Sequence, residues 1–153
     1  MTRIAMSGVT KTINKHCSDQ GVADLLQHRQ CISDVRSEIK SCYDGLVYDF
    51  YQIRMSDNRK DWHPMTCCFI SKFHECNVKA VNEKCEQSSR AYYSEEANKL
   101  MDELMELICP SNYRWGENDC TQLVANMKTV DPPEGENPML LSLIIDMMRK
   151  YTD

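Results

Sequence analysis

Residues 64–86 read PMTCCFISKFHECNVKAVNEKCE, a stretch whose apolar side chains fall on two sides of a helix. One side carries Phe69, Phe73, Cys76 and Ala80. The other side carries Cys67, Ile70, Val78, Val81 and Cys85. A helix that is apolar on two sides is usually packed between neighbours, and proline suits the first turn of a helix. We therefore expect a central helix that begins near Pro64 and ends near Glu86.

A long apolar stripe precedes this central helix. It begins after Ser18, a candidate N-cap, and recurs at spacings of three, four and seven residues. Its members are Val22, Leu25, Leu26, Ile32, Val35, Ile39, Leu46, Val47, Phe50 and Ile53. The stripe predicts one buried helix face, and Gly45 is where we expect a bend or a break. The polar residues 56–61 have the composition of a turn.

The rest of the chain predicts two further helices. Residues 87–90 suggest a turn, and Ser94 is a candidate N-cap for a third helix that ends at Pro110. Residues 111–119 read as a polar loop, and a last amphipathic helix covers residues 139–151, where docking on the bundle is the favoured role. The expected fold is all-α, a disulfide-stapled antiparallel helical bundle of about four helices. We expect residues 1–153 to form a single domain, with a flexible N-terminal arm over 1–17 and a Pro-rich linker over 131–138.

Nine cysteines indicate the compartment of this protein. They are spread along most of the chain, and they do not form the paired C-x2-C ligands of a zinc domain. Dispersed cysteines at helical distances are typical of structural disulfides in an oxidising compartment. We therefore expect secretion. The first residues lack the apolar core of a signal peptide, so the expectation is a form from which the signal has been removed.

The register of antiparallel helices predicts three disulfides, because residues equidistant from a turn face each other. Residue 59 is the midpoint of Cys42 and Cys76, and residue 58 is the midpoint of Cys31 and Cys85; both lie in the polar turn. Ser88, in the next predicted turn, is the midpoint of Cys67 and Cys109.

One of these pairs carries a condition. Cys76 and Cys85 lie on opposite sides of a regular helix, so pairing Cys85 with Cys31 requires the central helix to fray before Cys85. Cys68 and Cys120 remain for a fourth disulfide. Cys17 is then the odd cysteine, a candidate for an interchain disulfide or a free thiol.

The charge and motif content disfavours several function classes. A net charge of -5 with scattered basic residues argues against a nucleic-acid partner. No apolar run reaches the length of a transmembrane helix. His74-Glu75, after the Cys67-Cys68 pair, invites comparison with secreted phospholipase A2, but the spacing is too long and the glycine-rich calcium loop of that family is absent. We expect no catalytic residue, no metal site and no cofactor.

Five sulfur-containing or aliphatic side chains of the last two helices suggest a second possibility. They would line an adaptable apolar cavity or a partner groove, although core packing is the plainer interpretation. These residues are Met101, Leu104, Met105, Met147 and Met148. Such a cavity would suit a small hydrophobic ligand.

The cysteine string resembles that of a known class of proteins. The block Cys67-Cys68-x7-Cys76-x8-Cys85, the later Cys109-Pro110, and Cys120-x2-Leu123 before a Pro-rich stretch resemble small secreted cysteine-rich helical proteins of arthropods, many of them uncharacterised. The spacing is similar, more weakly, to nematode DUF19-type secreted domains. The Cys76-x8-Cys85 spacing also matches one found in insect odorant-binding proteins. None of these resemblances implies a catalytic residue.

Two hypotheses about function follow. The first is a secreted, non-enzymatic interaction or structural protein whose partner is another protein or a second copy, in a disulfide-linked dimer or an extracellular assembly. The alternative is an extracellular carrier of small hydrophobic ligands. An enzyme is a distant third.

Overall fold

A computed structural model describes residues 14–131 and 139–152. Over these residues the chain forms helices and no strand, which confirms the all-α prediction. The helices are α1 (Asp19–Gln27), α2 (Arg29–Asp34), α3 (Arg36–Met55), α4 (Trp62–Lys84), α5 (Gln87–Ile108), α6 (Asn118–Ala125) and α7 (Leu140–Thr152), with 3-10 turns at Arg59–Asp61 and Ser111–Tyr113. Most of the predicted N-terminal arm (1–13) and most of the predicted Pro-rich linker (132–138) lie outside the described residues.

The central helix is α4, which packs against α3, α5 and α6. Pro64 stands in its first turn, as predicted. Helix α7 docks on α3, so its predicted docking on the bundle is confirmed. The main core forms where these helices meet, and its buried residues are Leu46, Phe50, Tyr51, Ile53, Trp62, Met65, Phe69, Leu143 and Met147.

The long N-terminal stripe is broken at His28 and Val35, and not at Gly45. Both break residues have ψ near 0° (9° and 0°), whereas Gly45 lies inside the continuous helix α3. Tertiary contacts account for these positions: His28 hydrogen bonds with Ser89 of α5, and Val35 is buried in a small cluster around the Cys31–Cys85 disulfide. Because packing holds α3 together, the low helix propensity of a single glycine does not break it.

Helix α5 begins earlier than the polar composition of residues 87–90 suggests. These residues form its first turn, so the predicted turn and the N-cap at Ser94 are both wrong. The reversal from α4 to α5 needs only Cys85 and Glu86, which are both extended, with ψ of 156° and 163°. Ser89, one of these polar residues, is buried, and its hydroxyl hydrogen bonds with the His28 imidazole.

The segment predicted as a polar loop over residues 111–119 is partly helical. It contains a 3-10 turn, and α6 begins at Asn118. Gly116 has a φ of +90°, a left-handed backbone conformation that favours glycine. The turn leads the chain into α6, where Cys120 is fully buried.

Candidate functional site

Four disulfides join the pairs that the helix register and the remaining cysteines predict. They are Cys31–Cys85, Cys42–Cys76, Cys67–Cys109 and Cys68–Cys120, with Cα separations between 5.1 and 5.8 Å. The Cys31–Cys85 pair required the central helix to end before Cys85. It does, because α4 ends at Lys84 and Cys85 has an extended conformation. The disulfides fasten α2 through α6 to one another.

Cys17 is the ninth cysteine, and it is free and exposed. It stands at a tight corner between residues 14–16, which are helical, and α1. Ser18 secures this corner twice: its Oγ donates to the carbonyl oxygen of Lys15 at 2.6 Å and accepts from the backbone N–H of Gly21 at 3.1 Å. The second bond confirms Ser18 as the N-cap of α1.

Gly21 allows α1 to approach the backbone of Lys15 and His16 closely. A Cβ atom at this position would lie 2.1 Å from the carbonyl oxygen of Lys15 and 2.8 Å from the Cα of His16. Only a residue without a side chain fits such a contact between two backbones. The corner that carries Cys17 therefore has a defined shape.

Helix α5 anchors the corner through Glu96. The ammonium group of Lys15 pairs with one Glu96 carboxylate oxygen, and His16 Nε2 lies 3.3 Å from the other. The hydrogen bond from Lys15 lowers the pKa of Glu96, and the same bond raises the pKa of Lys15. Residues 14–17 of the predicted flexible arm are thus held against α5, and Cys17 is presented from a fixed position.

A second contact attaches the same region to α5. His28 Nδ1 hydrogen bonds with the buried Ser89 Oγ at 3.0 Å, and the imidazole stacks on the ring of Tyr92 with centroids 4.4 Å apart. Partial burial raises the pKa of Tyr92, and the nearby Glu96 carboxylate adds to the effect. The two contacts hold α1 along the first turns of α5.

The predicted buried stripe is exposed at its N-terminal end, contrary to expectation. Val22, Leu25, Leu26 and Ile32 are between 43% and 57% exposed, and we call these four residues the α1–α2 stripe. Val35 is the member of the predicted stripe that is buried here, as predicted, and the same buried side carries Gly21 and Cys31, which lie outside the predicted stripe. Cys31 decides which side faces inward, because its disulfide ties it to Cys85, and Ile32 lies about 100° around the helix from it. The position of Cys31 therefore indicates the buried face, which the apolar periodicity alone does not.

The described members of the predicted ligand-lining set have different surroundings. Met147 belongs to the main core, Met105 is buried outside that cluster, and Met101 is half-buried on α5. The side chains of Leu104 and Met148 lie outside the described residues. An open surface depression is lined by other residues, which are His74, Glu75, Val78, Lys79, Asn82, Glu83 and Asn98. The hydrophobic cavity stays a prediction.

Two histidines of α4 join it to α5. His63 Nε2 donates to the carbonyl oxygen of Ile108 at 2.7 Å, and His74 Nε2 donates to Asn98 Oδ1 at 2.9 Å. Among the described residues, no three metal-ligating side chains form a group that could hold a metal ion. Within the same ranges, no helix is long and apolar enough to cross a membrane.

One ion pair lies at the junction of α3, α4 and the loop before α6. Lys72 Nζ is 2.8 Å from the buried Asp49 carboxylate and lies over the rings of Phe69 and Trp115, 5.4 and 5.2 Å from their centroids. Burial raises the pKa of Asp49, and the ammonium group of Lys72 only partly offsets this effect. The pair joins α3 to α4, and Lys72 also contacts the loop before α6 through Trp115.

Comparison with protein-family models, with curated proteins and with solved structures finds no match to this chain. The resemblance to secreted cysteine-rich proteins of arthropods and nematodes therefore depends on cysteine spacing and stays a prediction. The site that the geometry offers is the corner that presents Cys17, together with the α1–α2 stripe beside it.

Proposed function

We propose that this chain is a secreted, non-enzymatic interaction or structural protein, and that it is joined to a second copy through Cys17. The observation that carries this proposal is the exposed thiol at a fixed corner of a frame in which the other eight cysteines are paired. Disulfide-rich frames of this kind occur in oxidising compartments. An odd cysteine in a secreted chain is typical of an interchain disulfide.

The linking step is an oxidation of two thiols. Two Cys17 side chains, one from each copy, lose two protons and two electrons, and one S–S bond forms. Molecular oxygen is one suitable acceptor of the electrons; a low-molecular-weight disulfide is another, and it leaves as two thiols after exchange. The exposed corner satisfies the main steric demand, since a disulfide requires the two Cα atoms to approach within about 7 Å.

Electrophoresis without reductant tests the proposal directly. The purified chain, incubated under air with a glutathione redox couple, should migrate at twice its mass of 17.8 kDa and return to monomer after reduction. The Cys17→Ser variant should remain monomeric under the same conditions. A chain that stays monomeric, with Cys17 still open to alkylation, would overturn the proposal.

A matched control separates a built site from mere thiol reactivity. In a Cys17→Ser background, Asp57→Cys moves the single free thiol to the exposed turn between α3 and α4. If the corner favours pairing, the native thiol should dimerise several times faster than the one at position 57. Equal rates would show that any exposed thiol on this protein is sufficient.

The carrier remains the second candidate, and the half-buried Met101 on α5 is the feature that favours it. A methionine at the edge of the bundle suits an adaptable apolar contact. Native mass spectrometry of gently purified protein should then show a co-purified lipid or fatty acid. A single unliganded mass, unchanged after incubation with oleate, would count against a carrier.

A further inference from the structure

We infer that the α1–α2 stripe docks on the same stripe of a second copy of this chain. The stripe of one copy runs antiparallel to the stripe of the other. This inference builds on the proposed function, because it names a second self-contact beside the Cys17 corner. The four apolar side chains of the stripe recur at helical spacing on one side of α1 and α2. All four are between 43% and 57% exposed. Apolar side chains clustered on one exposed helix face are typical of a contact with another helix.

The charges at the two ends of the stripe select a copy of this chain as the partner. Asp19 lies at the N-terminal end, and Arg29 and Arg36 lie toward the C-terminal end; all three are exposed. Within the described ranges, none of these three side chains forms an ion pair. The charge along the stripe therefore changes sign, from acidic at Asp19, before Val22, to basic at Arg29 and Arg36, on either side of Ile32. Such a surface is complementary to itself when it is reversed.

The same charges select the antiparallel direction. A parallel pair places Arg29 against Arg29 and Arg36 against Arg36 of the second copy, which is repulsive. An antiparallel pair with its midpoint near residue 27 places Val22 opposite Ile32 of the second copy. It also places Asp19 opposite Arg36 of the second copy, so that opposite charges meet at both ends. Isologous contacts of this kind are the commonest in homodimers.

The stripe is short, which sets the strength of the contact. Even laid end to end, the helical segments over residues 19–36 span about 26 Å at most, and one face of that length is small beside the ~800 Å² that each partner buries in a typical stable complex. We therefore expect a reversible dimer that forms at high protein concentration. This dependence on protein concentration distinguishes the stripe contact from the covalent Cys17 link.

The two self-contacts are separate in space. In the antiparallel pair the two Cys17 residues lie at opposite ends, about 30 Å apart along the helices, so they cannot be joined within that pair. A copy that uses both contacts has two different neighbours. Two distinct two-fold contacts on one chain lead to an extended assembly, which agrees with the structural form of the proposed function.

Sedimentation of Cys17→Ser protein tests the stripe without the covalent link. This variant should show concentration-dependent dimerisation, and a further Leu26→Glu change should weaken it at least tenfold. Leu141→Glu on α7 is the matched control, because Leu141 is similarly exposed and lies outside the stripe. Circular dichroism confirms that each variant is folded. A Cys17→Ser protein that remains monomeric at millimolar concentration overturns the stripe proposal and leaves the Cys17 proposal standing.

Directed cross-linking tests the direction. In the Cys17→Ser background, a mixture of Val22→Cys and Ile32→Cys proteins should give mainly mixed disulfide dimers, located by mass spectrometry of the peptides. Dimers that join Val22→Cys to Val22→Cys would overturn the antiparallel arrangement. A charge exchange adds independent evidence: Arg36→Asp should weaken dimerisation, and Asp19→Arg added to it should restore most of the loss.

A lipid surface is the competing occupant. Flotation with neutral phosphatidylcholine vesicles distinguishes it, since a self-contact predicts no binding by the Cys17→Ser protein. Vesicle binding that Leu26→Glu abolishes and Leu141→Glu retains, in a protein that is monomeric in solution, would assign the stripe to membranes and overturn the inference.

Discussion

The side-chain amide of Gln52 pairs with both backbone polar groups of Val130. Its Nε2 donates to the carbonyl oxygen of Val130 at 2.8 Å, and its Oε1 accepts from the N–H of Val130 at 2.8 Å. Gln52 is fully buried in α3, and Val130 belongs to the segment that leads from α6 toward α7. One side chain thus satisfies both backbone polar groups of Val130, as a neighbouring strand would, and anchors the residues after α6 to α3.

Replacement of Gln52 by leucine should destabilise the protein by about 1–3 kcal/mol. The leucine leaves the two backbone groups of Val130 without their partners while filling a similar volume. Chemical denaturation measures the loss, and hydrogen exchange should show faster exchange at Val130. Gln20→Leu is the control, because Gln20 is exposed and its side chain only reaches Asp24 within α1. Equal effects of the two substitutions would contradict the role given to the paired amide.

Two glycine substitutions should have opposite effects on stability. Gly21→Ala places a Cβ 2.1 Å from the Lys15 backbone, so we expect a loss of about 1–3 kcal/mol and a displaced corner. Gly45→Ala meets nothing within 4 Å inside α3, so we expect a gain of about 0.5–1 kcal/mol from helix propensity. Thermal unfolding of both variants provides the comparison. A stabilising Gly21→Ala would show that the corner around Cys17 is not tightly packed.

The disulfides were predictable because two simple lengths determine them. The rise of a helix sets how far apart two cysteines lie, and a disulfide tolerates only a short Cα separation. The predicted turn near residue 58 gave Cys42 one geometrically suitable partner, Cys76. The predicted turn near residue 88 likewise paired Cys67 with Cys109, although the reversal itself lies at Cys85 and Glu86. Cys31 had one suitable partner as well, once α4 ended before Cys85.

The faces and breaks of the N-terminal helices were not predictable from periodicity. Apolar spacing marks a face but does not say whether a neighbour covers it, so Leu26 and Leu46 look alike in the sequence. One is 57% exposed and the other is 6% exposed. The break at His28 depends on a hydroxyl 61 residues away, at Ser89, which no local pattern contains. The tight corner at Gly21 likewise depends on how closely the backbone of residues 15 and 16 packs against α1, which no local pattern contains.

The Cys42–Cys76 disulfide should be the first of the four to be reduced in the folded protein. Cys76 lies exposed on α4, whereas Cys31, Cys85, Cys67, Cys68 and Cys120 are at most 8% exposed. A thiolate must reach a sulfur atom in order to attack it, so access controls the order of reduction. Limited reduction by a phosphine or thiol, followed by differential alkylation and peptide mass spectrometry, identifies the first pair. Prior loss of Cys68–Cys120 would show that local opening, and not surface access, governs reduction.

Asp49 and Glu96 should give opposite contributions to stability as the pH changes. Burial raises the pKa of Asp49 in the folded state above the ordinary value of 3.8, so its favourable contribution is present below that value and is lost as the pH rises through the raised pKa. The bond from Lys15 lowers the pKa of Glu96 below 4.5, so its contribution is present above that value and is lost as the pH falls through the lowered pKa.

Denaturant unfolding between pH 3 and pH 7 measures both contributions against neutral isosteres. The stability difference between the native protein and Asp49→Asn should shift against the native protein as the pH rises. The difference between the native protein and Glu96→Gln should shift in favour of the native protein over the same interval. The Glu96 effect should be the smaller of the two, because its pair with Lys15 is partly exposed to solvent and is weakened by salt. Curves of the same sign would mean that the Lys72 ammonium outweighs the burial of Asp49, and that the α3–α4 ion pair stabilises the bundle at neutral pH.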